Sequence, residues 1–184
     1  MGSLIFNSID LSVNGIFREL FGDLNVFQDP FEDSTAKDDA KIIMKNWNDQ
    51  DIRNQLTEIF INNANLGEYA RAELISSSTT SHGPTEISDL ELHLDENKTI
   101  HLPIKSYREG SNKTIGIPDL KDQYLRPFYT EGTYCVIIIS VKPLSPPLLD
   151  AIHNYRHRFK IPILYLADET LLRFMYNLNP DLFQ

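Results

Sequence analysis

The stretch ISDLELHLDENKTIHLPIK, residues 87–105, decides the fold. In its first half Leu90, Leu92 and Leu94 alternate with Asp89, Glu91 and His93. A two-residue period of this kind is a half-buried strand. DENK supplies a turn, after which Ile100, Leu102 and Ile104 alternate with His101, Pro103 and Lys105. Together the two runs predict a β-hairpin with one apolar and one polar face. Both apolar sets must meet the same core, which fixes the parity of the register. The expected pairing sets Leu94 against Ile100, Leu92 against Leu102 and Leu90 against Ile104. On the polar face this places Asp89 opposite Lys105, Glu91 opposite Pro103 and His93 opposite His101.

Upstream of the hairpin the period is helical. Residues 1–28 read equally as strand-turn or helix, and the acidic stretch at 29–37 reads as an exposed loop. From about 38 to 77, Ile42, Ile43, Trp47, Ile52, Leu56, Ile59 and Phe60 recur every three or four positions, with Asp49 as an internal N-cap. A further helix is expected over about 66–77, with Leu66, Tyr69, Ala70 and Leu74 on one face, ending in the loop SSSTTSHGPT.

Downstream, residues 106–118 read as a polar loop, and DLKDQYLRPFY as a helix capped by Asp119 and limited by Pro127. CVIIISV (135–141) is apolar on both faces, which suits a central strand covered from both sides. A helix over about 147–159, a buried strand over 162–167 and a last helix over 168–178 capped by Asp168 follow. Strand-helix-strand-helix implies parallel pairing and a layered α/β sheet. There are no internal repeats. The organisation expected is an N-terminal segment with its acidic loop, 1–37, and one α/β domain, 38–184.

Composition narrows the function. A chain of 184 residues can bury a proper core. No stretch approaches the roughly 20 apolar residues of a membrane span, and the start lacks the basic-then-apolar pattern of a secretory signal. The single cysteine, Cys135, excludes an internal disulfide and fits a reducing, cytoplasmic setting; inside its apolar run it reads as a core residue. One Cys and five scattered His suggest no tetrahedral zinc site. The formal charge of −9 argues against a high-affinity tracker of the nucleic-acid backbone, yet leaves room for an enzyme that works through bound cations. No phosphate-binding glycine loop and no GxSxG elbow is present. Arg156, His157, Arg158 and Lys160 form a basic segment that reads as a solvated helix end, with phosphate contact as the alternative.

Glu73, the GPTEISDLEL segment with Asp89, the HLPIKS segment with Lys105, and Gln123 beyond it follow one another in a distinctive order. In that order the chain resembles the restriction-endonuclease-like, PD-(D/E)xK, nuclease superfamily over about residues 50–178. The nearest likeness is to the catalytic domains of modification-dependent restriction enzymes. The resemblance implies a mixed sheet flanked by helices and metal-dependent hydrolysis of a phosphodiester, DNA before RNA, in a bacterial or phage defence system. It further implies Mg²⁺ or Mn²⁺ as the cofactor, held by Asp89 and Glu91. Lys105 would polarise the attacking water, Glu73 would assist from a helix, and Gln123 would support the site. The chemistry is coherent: a hard cation takes carboxylate oxygens, lowers the pKa of water and neutralises charge in the transition state.

The chain departs from the family at Pro103, where an acid is expected two residues before the lysine. Two readings stay open. Either Glu91 supplies the missing carboxylate from across the hairpin, or the site is silent and the fold serves as an interaction or regulatory module. The partners expected are accordingly nucleic acid or a protein in a larger assembly, a homo-oligomer included.

Overall fold

The computed structural model describes residues 20–21, 27–63, 73–76, 89–94, 98–105, 114–117 and 126–184. Among the described residues, four helices and a mixed sheet make an α/β fold. In chain order the elements are α1 (Ser34–Lys45), α2 (Asp49–Asn63), β1 (Glu73–Ser76), β2 (Leu90–Leu94), β3 (Lys98–Leu102), β4 (Ile104–Lys105), β5 (Thr133–Ser140), α3 (Pro146–Phe159), β6 (Ile163–Ala167) and α4 (Glu169–Leu178). Among the described residues no helix is long and apolar enough to cross a membrane.

β2 runs antiparallel to both β1 and β3, while β5 runs parallel to β3, β4 and β6. Pro103 divides β3 from β4, since it has no N–H to give a ladder. The line of the strand nevertheless continues. The Ile139 N–H donates to the Pro103 carbonyl at 2.9 Å, and Ile104 and Lys105 then pair with Ile139 and Ser140. The six strands are therefore five strand-widths across, in the order β1, β2, β3 with β4, β5, β6.

The central strand is buried on both faces, as its unbroken apolar run implies. Cys135, Ile137 and Ile139 join Leu90, Leu92, Ile100 and Leu102 in one core with α1, α2 and α4. Val136 and Ile138 pack on the other side, against Leu148 and Ile152 of α3.

Local chemistry explains the helix ends. Asp33 sits in extended backbone and accepts from the Ala36 N–H at 2.8 Å, so α1 starts at Ser34, inside the stretch expected to be a loop. Asp49 is the first residue of α2 rather than its cap. Asn48 takes that place: its side chain accepts from the Asp51 N–H and Asp51 accepts from the Asn48 N–H, both at 2.9 Å. This reciprocal pair is a capping box. Ser145 caps α3, Pro146 and Pro147 fill its first turn, and Lys160 ends it in the left-handed region at φ 58°.

Three expectations change. Of the helix expected over about 66–77, the described residues Glu73–Ser76 form a strand instead, paired with β2. Asp168 precedes α4 but makes no capping bond, since its backbone lies at φ 50° rather than in the extended region a cap requires. The hairpin register is two residues tighter than expected, with Leu90 against Leu102, Leu92 against Ile100 and Leu94 against Lys98. A two-residue slide keeps every apolar residue on its face, so alternation alone could not distinguish the two. The expected helix cap Asp119, the SSSTTSHGPT loop beyond Ser76 and most of the loop at 106–118 lie outside the described residues.

Candidate functional site

The tighter register rearranges the polar residues of the hairpin. Extending the ladder one step past Leu90 and Leu102 brings Asp89 opposite Pro103, where the ladder lacks a donor. Asp89 is 4% exposed, and its Oδ2 accepts from the Ile104 N–H at 2.8 Å. The carboxylate thus takes up the first backbone donor beyond the proline. Its Oδ1 lies 3.4 Å from Nη2 of Arg53, a residue of α2 that is 6% exposed. Gln50, one turn earlier on α2, accepts from Arg53 Nη1 at 3.2 Å. A buried ion pair of this kind is costly to form and more costly to break, because each charge is stranded without the other.

Glu91 belongs to a second group. It stands opposite His101, not Pro103 as expected, and its oxygens lie 2.9 Å from Nε2 of His93 and 3.6 Å from Nδ1 of His101. His101 is buried and His93 half-exposed. The two histidines do not oppose each other, since His93 faces Thr99; they bracket Glu91 instead. Glu73, expected on a helix, holds the register position across from His93 in β1.

Lys105 is half-buried at the end of β4, paired with Ser140. This is the end of the sheet at which β2 begins, just after Asp89, and β5 and β6 finish, so Asp89 and Lys105 lie at one end of the sheet. Gln123 lies outside the described residues.

The donors do not fit the divalent cation that the resemblance implies. Pro103 offers no side-chain oxygen, both oxygens of Asp89 are engaged by a backbone amide and a guanidinium, and Glu91 is held between two imidazoles. Among the described residues no group of three or more His, Cys, Asp or Glu side chains is placed to hold a metal ion.

Periodicity alone does not single out Arg53, which sits in α2 among Ile52, Leu56, Ile59 and Phe60. A buried cation in an apolar helix face is the signal that would have found it, because a charge is buried only with a partner.

A second constellation links α1 and the residues before it to α4. On α1, Lys37 pairs with Glu169 at the start of α4, and its Nζ also lies 3.7 Å from Asp29. Arg173 reaches Glu169 at 2.6 Å and Asp29 at 3.3 Å, and Lys41 reaches Asp168 at 3.3 Å. The Lys37 hydrogen bond, with help from Arg173, holds the Glu169 carboxyl below the usual carboxylate range against the opposing effect of burial.

Compared with protein-family models and with curated proteins, the sequence matches none.

Proposed function

We propose that this chain is a non-hydrolytic interaction module on a restriction-endonuclease-like scaffold, in which the position of the metal site has become part of the core. The observation that carries this reading is the engagement of Asp89 by the Ile104 amide and the buried Arg53 guanidinium. A carboxylate used in this way closes the strand break at Pro103, and a metal would have to displace both partners. The net charge of −9 favours a basic protein surface as the partner, since complementary charge speeds encounter and orients docking.

One observation favours the second reading, phosphodiester hydrolysis of DNA or RNA with Mg²⁺ or Mn²⁺ in a defence setting. Asp89 and Lys105 share one end of the sheet, as a nuclease would need. Incubation of the purified chain with Mn²⁺ and single- or double-stranded DNA and RNA separates the two. The interaction module leaves all four substrates intact. Cleavage that disappears in Lys105→Ala would overturn it in favour of the nuclease, with Asp89, Glu91, Glu73 and Gln123 as the residues to test next.

A further inference from the structure

The face of the sheet covered by α3 carries a feature that neither reading uses. Phe128, Tyr155 and Phe159 lie with their rings nearly parallel, their planes 15–23° apart and their centroids 5.1–5.7 Å apart. Tyr129 meets Phe159 edge-to-face at 5.6 Å and is 71% exposed. The short 3-10 turn that carries Phe128 and Tyr129 is pinned from behind: the Thr133 hydroxyl donates to the Pro127 carbonyl at 2.6 Å. The backbone of the turn is thus fixed, and the Tyr129 ring stands exposed beside Phe159.

The basic segment that ends α3 adjoins this cluster through Phe159. The Arg158 guanidinium lies 5.3 Å from the centre of Phe159, and His157, Arg158 and Lys160 are exposed. Arg156 does not belong to the group, because its guanidinium donates to the Ile163 carbonyl. No acidic residue occurs between His153 and Lys160, and the closest in sequence are Asp150 on α3 and Glu131 beside the turn. The acids of 29–39 lie with α1, which packs on the opposite face of the sheet. A chain of charge −9 therefore keeps a local basic surface next to an exposed aromatic ring. Cations at a helix C-terminus also offset its dipole, but that role calls for no exposed tyrosine.

We propose that Tyr129, with Arg158 and Lys160, forms a binding surface for single-stranded nucleic acid. A base stacks on the Tyr129 ring while the two cations meet the flanking phosphates. Stacking on aromatic side chains beside a cationic track is the general solution for unpaired strands, because every base has a flat face. Few charges take part, so affinity rests more on stacking than on phosphate contact. The surface is independent of Asp89 and Lys105, and its test is binding rather than cleavage.

The test is fluorescence anisotropy of the full chain, without divalent cations, against labelled oligothymidylate and oligouridylate of about 12 nucleotides, a length within the usual site sizes. Both single strands are expected to bind more tightly than a duplex of the same length. Tyr129→Ala should weaken binding about 5- to 150-fold, the loss of one stacked base, while Tyr129→Phe should retain it. Arg158→Ala should weaken binding and Glu131→Gln strengthen it. Two phosphate contacts give a shallow salt dependence, about sevenfold between about 50 and about 200 mM. Equal affinity of Tyr129→Ala and Tyr129→Phe, in variants whose melting matches the parent, overturns the proposal. So does binding of polyglutamate in place of either oligonucleotide.

Discussion

Asp89 holds together two pieces of chain that would otherwise meet at a flaw. Removing its carboxylate takes an acceptor from the Ile104 N–H and the counter-charge 3.4 Å away from the buried Arg53 guanidinium. Asp89→Ala should therefore lower stability by about 3 kcal/mol, the cost of breaking a buried pair. Adding Arg53→Met should restore part of that loss, because a well-packed apolar residue replaces a stranded charge. Urea denaturation of the single and double variants measures both. An Asp89→Ala variant as stable as the parent would show that the carboxylate is available for other work. In the sequence the hairpin and its polar face are legible, but parity cannot choose between registers two residues apart, and Asp89 falls opposite Pro103 rather than the expected Lys105. The partner of Asp89 is not legible, because Arg53 lies 36 residues away on a helix and alternation in a strand carries no information about it.

At the scale of elements, periodicity located α2, α3, α4 and the strands β2, β3, β5 and β6, where runs are long or the alternation strict. It failed at Glu73–Ser76, a stretch of four residues too short to show either period. Pairing with β2 decides its conformation, so tertiary context overrides the helical spacing of the residues before it. The helix starts are local and can be tested singly. Asn48→Ala removes one half of the capping box of α2 and should cost about 1 kcal/mol, measurable as a shift in the urea midpoint. The contact between α1 and α4 should respond to pH. The Glu169 carboxyl lies below its ordinary value of 4.5 in the folded chain, so its contribution is complete above that pH. It is lost as pH falls through the depressed folded value, when the carboxyl protonates. Stability measured from pH 6 to pH 3 should fall less steeply in Glu169→Gln than in the parent, because the glutamine has no proton to take up.

For the molecule as a whole, the buried sheet makes one chemical probe informative. Burial raises the Cys135 thiol to about 12, the centre of β5 being closed on both faces. The thiolate is the reactive form, so Ellman's reagent at pH 8 should leave the native chain unmodified and react fully in denaturant. Intermediate rates would then report the population of molecules opened to the core. At the outer edge of the sheet, the Val136 N–H donates to the Pro162 carbonyl at 3.0 Å, so the next carbonyl along β6, that of Ile163, faces away from β5. Arg156 fills it with two guanidinium nitrogens from α3. A bare strand edge invites another chain to pair alongside it and seeds aggregation. The guanidinium here acts as a plug: one arginine, turned inward against its own backbone, occupies an acceptor that a second strand would otherwise use.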